Sequence, residues 1–239
     1  MNWIAKLFNG GPKAPPIVLT PVQQEAIAAW RKTPAPDLTR SHYRSRYVVV
    51  DVEASGLNMK KDRLISIGAL AVVDGVIDFS DAFEVVLRQD VVSTHENILI
   101  HGIGGSAQSE GVDPPDALIA FLQYLGKSPL VAYHALFDQS MIERALKEYL
   151  GCDLGQTWID LAWVMPDLFR DLINAQVGLD DWLKLFDIEN ILRHNAVSDA
   201  YATAKLLQVA LARGMQRGAE TPNSFVELER ARRWMRRAS

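Results

Sequence analysis

The stretch YVVVDVEASG at residues 47–56 sets a run of β-branched apolar residues directly before two acids and a turn of small residues. Such residues favour a buried strand, and residues two apart in a strand project from the same face. Asp51 and Glu53 are therefore expected to point the same way at the carboxyl end of a strand. Two carboxylates so close raise each other's pKa unless a positive charge lies between them. The alternative is an ordinary solvated strand end.

A second acid follows another short apolar run. LVAY at residues 130–133 predicts a buried strand, and residues 139–150 carry apolar side chains at helical spacing. Asp138 is expected to open that helix. It can be a simple N-cap, because Asp is common at that position. Because it also follows a strand closely, it is a candidate to join Asp51 and Glu53.

The third segment, HNAVSDAYATAKLL at residues 194–207, predicts a strong helix with small residues on one side. Asp199 lies in its first turns and His194 in the loop before it. A lone histidine in a loop is more often an ordinary surface residue than a base. Here it stands five positions before an acid, near a helix N-terminus that favours anionic ligands.

Together these segments resemble the exonuclease motifs of the 3′→5′ exonucleases with a DEDD carboxylate set. The histidine branch of that family is typified by the proofreading epsilon subunit of bacterial DNA polymerase III. Its patterns Asp-x-Glu-Thr-Thr-Gly, His-Asn-Ala-x-Phe-Asp and His-x-Ala-x-x-Asp-Ala correspond to residues 51–56, 133–138 and 194–200. The sister branch has a tyrosine four residues before the last acid, and this chain has Asn195 there.

Two positions depart from the family pattern. Ala54 and Ser55 replace the usual Thr-Thr, which in the family lies against the 3′-terminal nucleotide, and Tyr133 and His134 replace His-Asn. IHGI at residues 100–103 resembles a further short family element, and GLDDWL at residues 178–183 resembles the helix before the third motif. The resemblance implies substrate contacts by Ala54, Ser55, Gly56, Leu57, His101, His134 and Phe137.

The resemblance also implies two divalent metal ions, Mg²⁺ or Mn²⁺. Such hard ions prefer carboxylate oxygens, whereas zinc is usually held by cysteine or histidine. By resemblance, Asp51 bridges both ions, Glu53 and Asp199 complete the site of the attacking water, and Asp138 helps to hold the second ion. His194 takes the proton, since its ordinary pKa of about 6.5 suits a general base near neutrality. The product would be a nucleoside 5′-monophosphate.

The remaining pattern predicts an α/β protein. The capping-box sequence TPVQ at residues 20–23 starts a helix to Lys32. Strands are expected at residues 64–73 and 76–87, joined by an Asp74-Gly75 hairpin turn, and at residues 158–160, with a helix at 116–125. This order fits the ribonuclease H-like fold that the resemblance implies, with three layers and a mixed five-stranded sheet between helices on both faces.

We expect one exonuclease domain at residues 47–212, after an N-terminal helical extension and linker at 1–46 and before a basic C-terminal helical tail at 213–239. The whole chain has a net charge of −4, yet the extension carries +5 and the tail +4. The arginine run at residues 230–237 can contact phosphates. It can equally form a solvated helical tail beside an acidic body.

The sequence favours a cytoplasmic protein. Cys152 is the only cysteine, so no intramolecular disulfide forms, and no apolar run is long enough for a transmembrane segment. The apolar stretch within the first eight residues is too short for a secretory signal. They set Trp3, Ile4, Leu7 and Phe8 on one side of a short helix, followed by a Gly/Pro-rich linker at 10–16.

Three functions compete. The first is a metal-dependent 3′→5′ exonuclease acting on single-stranded DNA or RNA 3′ ends. The second is a catalytically silent scaffold of the same fold that binds nucleic acid or a polymerase, but that hypothesis predicts a lost ligand and none is lost. The third is a membrane-surface or partner-docking protein that carries the nuclease core as cargo. In that case the N-terminal segment binds the surface, a polymerase or another protein. Alternatively, the segment is a frayed end or packs on its own domain.

Overall fold

The computed structural model describes residues 17–173 and 175–238. The expected N-terminal apolar helix and the linker at 10–16 lie outside these residues. The five strands are β1 (Arg46–Ala54), β2 (Leu64–Val73), β3 (Val76–Val86), β4 (Leu130–Ala132) and β5 (Trp158–Asp160). They form a single mixed sheet in the order β3-β2-β1-β4-β5. Strand β2 is antiparallel to both β1 and β3, whereas β4 and β5 run parallel to β1.

Helices cover both faces of this sheet. They are α1 (Pro21–Lys32), α2 (His95–His101), α3 (Gly105–Ser109), α4 (Pro114–Leu125), α5 (Leu136–Leu150), α6 (Leu161–Leu168), α7 (Leu179–Leu185), α8 (Ala196–Gln216) and α9 (Pro222–Ala238). Both the expected mixed five-stranded sheet and the two helical layers are confirmed. In the part of the chain that the structure describes, no helix is long and apolar enough to cross a membrane.

Strand β1 separates two apolar cores because its side chains alternate between the faces. Val48 and Val50 pack with helices α1, α4 and α5, whereas Tyr47 and Val49 pack with α6, α7, α8 and α9. Asp51 and Glu53 continue the second alternation. The alternation therefore directs both acids toward the layer that contains α8.

The turn between β2 and β3 follows from its two residues. Asp74 and Gly75 have φ values of 52° and 82°, which a two-residue hairpin turn requires and which Gly and Asp tolerate best. The expected hairpin is confirmed. Strand β3 ends at Val86, one residue earlier than predicted, because Leu87 pairs with Val112 in an isolated bridge instead.

The described part of the N-terminal extension, from residue 17 onward, packs on the folded body. Thr20 and Gln23 form the expected capping box, in which each side chain accepts the other residue's backbone N–H, at 3.2 and 2.9 Å. Ile27 and Trp30 are buried against the first core, and the Trp30 indole donates to the Gly126 carbonyl at 2.7 Å. Helix α1 thus stabilises the domain on which it packs.

Asp138 does not open its helix as predicted. Helix α5 begins at Leu136, with Ala135 as its N-cap, so Asp138 is the third helical residue. The early start follows from a turn at His134, whose φ is 61° and whose carbonyl accepts the Phe137 N–H at 3.2 Å. Sequence periodicity alone gave no sign of this left-handed residue.

The expected C-terminal helix is present, but the described part of it packs on the domain and is not wholly solvated. Helix α8 runs through residue 213 to Gln216, so the proposed boundary falls inside a helix. Helix α9 then packs on the domain, with Phe225 fully buried. His42 secures the connection between the two helices, because its Nε2 lies 2.9 Å from the Ala219 carbonyl oxygen. The arginine-rich segment is therefore anchored on the body.

Candidate active site

Three acids meet at the carboxyl end of β1. Carboxylate oxygens of Asp51, Glu53 and Asp199 lie within 4.8 Å of one another. They face a cleft of about 610 Å³ whose walls come from β1, α2, the turn after β4, α7 and the loop before α8. The structure thus brings together three of the four predicted metal ligands, from segments almost 150 positions apart.

Asp199 is held in position by its own helix start. The Asn195 side chain caps α8 by accepting the Ser198 N–H at 3.0 Å, and Asp199 lies in the first turn. Its Oδ2 accepts the backbone N–H of His194 at 2.8 Å. These bonds orient the carboxylate toward β1 and tie it to the predicted general base.

Asp138 lies behind the three-acid group. Its side chain is 5% exposed, and Oδ1 accepts the backbone N–H of Val52 at 3.2 Å, between the two acids of β1. It does not line the cleft surface. The hydrogen bond to Val52 nevertheless fixes the fourth acid against the strand that carries Asp51 and Glu53.

The acids repel one another in this arrangement. Burial raises the pKa of Asp51 well above its usual range, and the charges of Asp138, Asp199 and Glu53 raise it further. Burial also raises the pKa of Glu53 to about 7, with a further contribution from Asp199. Burial likewise raises the pKa of Asp138. A carboxylate set of this kind fits hard divalent cations. Their positive charge removes the repulsion between the acids, and they prefer oxygen ligands.

The guanidinium group of Arg193 places a positive charge beside the acids. Arg193 donates from Nη1 to Asp199 Oδ1 and from Nη2 to Asp180 Oδ2, both at 3.2 Å. Its charge lowers the pKa of Asp51 against the raising effects of burial and the other acids. Sequence reasoning missed Arg193; the signal was a basic residue directly before His194.

His194 lies at the cleft mouth. It has a φ of 60°, a left-handed conformation that a non-glycine residue adopts at some cost, and its side chain is exposed. Backbone strain of this kind persists only where the surroundings hold it, and here the bond to Asp199 does so. The imidazole lines the cleft beside the acids, where a base can reach water.

Most of the predicted substrate residues line the same cleft: Ala54, Gly56, Leu57, His101, His134 and Phe137. Ser55 does not. Its Oγ donates to Asp62 at 3.2 Å and accepts the Arg63 N–H at 2.9 Å, so its hydroxyl secures the turn after β1. Sequence reasoning did not predict that Tyr133 and Asn97 also line the cleft.

His101 is engaged within the wall. Its Nδ1 accepts the Ile103 N–H at 2.9 Å, which leaves Nε2 to donate to the Asn97 side-chain oxygen at 2.9 Å. Burial lowers the pKa of this imidazole, which favours the neutral form that these bonds require. His101 therefore shapes α2 and the loop after it.

Comparison with known proteins agrees with this geometry. A family model described as exonuclease and named for RNase T matches residues 48–207. The chain is 31% identical over 160 residues to the PolC-type DNA polymerase III of Caldanaerobacter subterraneus subsp. tengcongensis, an alignment that covers 67% of this chain and 11% of that polymerase. For the PolC-type enzyme of Bacillus subtilis the identity is 30% over 175 residues, covering 73% and 12%. The chain thus spans about an eighth or less of these curated relatives.

Solved structures share the fold. E. coli exonuclease I in complex with a dT13 oligonucleotide superimposes with a TM-score of 0.61 and 19% identity, over 72% of this chain and 42% of that one. Exonuclease X in complex with 5′ overhanging duplex DNA gives 0.57 and 20%, over 77% and 99%. The expected ribonuclease H-like α/β fold is confirmed. The chain therefore belongs to the DEDD exonucleases of the epsilon type, the family whose model covers residues 48–207.

Proposed function

We propose that this chain is a metal-dependent 3′→5′ exonuclease that removes nucleoside 5′-monophosphates from single strands. The observation that carries the proposal is the convergence of Asp51, Glu53 and Asp199 within 4.8 Å, beside His194 in one cleft. A silent scaffold has no need of four mutually repelling acids, because their crowding destabilises the fold when no cation is bound.

Asp51, Glu53 and Asp199 would hold the divalent ions, with Asp138 completing the set from behind Val52. Bound there, Mg²⁺ or Mn²⁺ supplies Lewis acidity toward the scissile phosphate and lowers the pKa of water. Asp51 and Glu53 lie near the carboxyl end of β1, and Asp138 and Asp199 lie in the first turns of α5 and α8. Strands and helices are rigid elements. That rigidity keeps the ligand geometry fixed during turnover.

His194 would accept the proton of the attacking water. Its exposed ring at the cleft mouth can take a proton from the site and pass it to solvent. Its backbone bond to Asp199 keeps the ring next to a metal ligand. We propose a neutral imidazole as the active form, since only that form has a free lone pair.

The walls of the cleft suit a strand end. Leu57 and Ile100 are 88% and 56% exposed, and both line the cleft with Phe137. Apolar and aromatic side chains of this kind stack on bases without reading their identity. We therefore propose that the terminal nucleotide packs among them while its phosphate faces the acids.

DNA is the proposed substrate, with RNA 3′ ends as the second candidate. The relatives are DNA polymerases, and the solved neighbours hold DNA strands. Proofreading beside a polymerase in the cytoplasm is the corresponding cellular role. RNA differs from DNA by its 2′-hydroxyl, so a direct assay of both strands decides between the two substrates.

The test is digestion of 3′-labelled single-stranded DNA and RNA side by side, with Mn²⁺ or with EDTA. We expect release of labelled mononucleotide with Mn²⁺ and no release with EDTA or with Asp51→Asn. If the parent protein binds the strand but never shortens it with Mn²⁺, the scaffold hypothesis replaces the exonuclease.

A further inference from the structure

The C-terminal helix reaches the back of the cleft through a buried carboxylate. Arg233 on α9 donates from Nη2 to Asp160 Oδ2 at 2.8 Å, and the Asp160 side chain is only 3% exposed. Arg233 also donates from Nε to Glu229 Oε1 at 2.8 Å, while Glu229 Oε2 accepts the Asp160 backbone N–H at 2.9 Å. The three residues form a closed group, in which Arg233 binds both carboxylates and Glu229 binds the Asp160 backbone.

The second oxygen of Asp160 holds the turn that enters the cleft. Its Oδ1 accepts the backbone N–H groups of His134 at 2.9 Å and Ala162 at 3.0 Å. His134 has a φ of 61° and lines the cleft. A left-handed non-glycine residue needs outside support, and the Asp160 carboxylate provides it from behind.

The strength of that support depends on Arg233. A buried carboxylate stays charged only when it is paired, and a charged acceptor forms the stronger hydrogen bond. Arg233 is the cation of this group, and its guanidinium also lies over the Trp163 ring, 4.7 Å from the centroid. Without the Arg233 guanidinium, Asp160 would either take up a proton or draw in water. In both cases the hydrogen bond from the His134 N–H to Asp160 would weaken.

We propose that Arg233 is a positioning residue for the terminal nucleotide. Acting through Asp160, it fixes the His134 turn, so α9 contributes to substrate binding without contacting the substrate. The inference rests on the proposed exonuclease function. Among the contacts of the described residues, Asp51, Glu53 and Asp199 make no hydrogen bond to Asp160 or Arg233. The charge of Asp160 does act on Asp138, whose pKa it helps to raise.

The first experiment measures binding of a hydrolysis-resistant phosphorothioate DNA strand with a free 3′-hydroxyl. Arg233→Met should raise its Kd, and the KM for ordinary DNA, about tenfold, which corresponds to weakening the support of the His134 turn by roughly one hydrogen bond. Mn²⁺ affinity should change far less than the Kd of the strand, because Arg233 pairs with Asp160 and not with the acids of the metal group. Arg233→Lys should recover part of the loss, because an ammonium can still pair with Asp160.

Two control variants exclude a general effect on α9. Arg230→Met alters an exposed arginine of the same helix, and Phe225→Leu weakens its buried packing away from Asp160. Both should keep the parent Kd. In a His134→Gly background, where glycine tolerates the left-handed turn and the ring is absent, Arg233→Met should raise Kd no further.

Hydrogen exchange of the His134 amide tests the link without any activity. We expect exchange at least tenfold faster in Arg233→Met and unchanged in Arg230→Met. An unchanged rate in Arg233→Met would overturn the proposal, as would an unchanged Kd. A chain that binds strands and shows both effects but never cleaves would refute the exonuclease and leave the positioning role of Arg233 standing.

Discussion

Gly68 lies directly against the backbone of Ala196. A Cβ on Gly68 would come within 2.3 Å of the Ala196 carbonyl carbon and 2.4 Å of the Val197 nitrogen. Gly68 pairs with Asp51 in the sheet, and Ala196 is the first residue of α8. The missing side chain therefore lets α8 cross the sheet beside Asp51, which brings Asp199 into the acid group.

Gly68→Ala should disrupt the site more than the fold. The added methyl forces a backbone shift, which typically costs about 1–3 kcal/mol. Because misplacing catalytic groups by ~1 Å can cost about 10²-fold in rate, turnover should fall steeply and Mn²⁺ should bind more weakly. Calorimetry and the nuclease assay measure both effects. The matched control is Gly104→Ala, since a Cβ there meets nothing within 4 Å; equal behaviour of the two variants would refute the role of Gly68.

Crowded acids should make the metal-free protein less stable as pH rises. Burial and Asp199 raise the pKa of Glu53 to about 7 from 4.5, so folding favours its protonated form. The stability this gives is complete below pH 4.5 and is lost as pH rises through 7. Denaturation in EDTA should thus show the free energy of unfolding falling between about pH 4.5 and 7.

Metal binding and Asp51→Asn should each stabilise the protein above pH 7, because each relieves repulsion among the clustered acids. A cation neutralises the acids, and saturating metal at a hundredfold excess over Kd adds about 2.7 kcal/mol. The Asn variant eliminates one repelling charge, so it should melt above the parent in EDTA at pH 8. A parent that melts at the same temperature with Mn²⁺ and EDTA would contradict the proposed cluster.

His194→Ala should separate catalysis from metal binding. A general base contributes roughly 10²- to 10⁴-fold, so turnover should drop by that order. Mn²⁺ affinity should stay close to that of the parent, because no carboxylate is removed. Full turnover in the variant would assign the base to another group.

His42 should limit stability in acid. Its side chain is fully buried, with Nδ1 2.5 Å from the Tyr47 hydroxyl oxygen and Nε2 2.9 Å from the Ala219 carbonyl oxygen. Burial lowers its pKa to about 4 from 6.5. The unfolded chain therefore takes up the proton first, and stability present above pH 6.5 is lost as pH falls toward 4, by up to about 1.4 kcal/mol per pH unit.

His42→Gln should flatten this acid loss, since its amide can still donate to Ala219 but does not titrate. His95→Gln is the control, because His95 is exposed. Urea denaturation at pH 7, 6 and 5 measures the slopes. Parallel slopes for the parent and His42→Gln would show that another group governs acid stability.

Local patterns predicted the elements and three of the clustered acids because each depends on neighbouring residues. Alternation put Asp51 and Glu53 on one strand face, and small residues marked the start of α8. The contribution of Gly68 could not be read in this way, since it depends on how closely two distant backbones approach. The same holds for Arg193, whose partner Asp180 comes from another element.

The misread C-terminal region has a similar cause. Its arginines suggested a solvated tail, because the amino-acid composition gives the charge of a segment but not the residues with which its side chains pair in the fold. In the structure, Arg233 pairs with Asp160 on a strand more than seventy positions earlier, and Phe225 is buried. The displaced start of α5 arose from the left-handed His134, whose support by Asp160 is again a tertiary contact.

The most direct measurement of the central claim compares linear and circular forms of one single-stranded DNA with Mn²⁺. A cleft that binds a terminal nucleotide beside four acids should shorten the linear strand stepwise from its 3′ end, release 5′-monophosphates and leave the circle intact. Asp51→Asn should leave both intact. Cleavage of the circle by the parent protein, or shortening of the linear strand from its 5′ end, would contradict a 3′→5′ exonuclease.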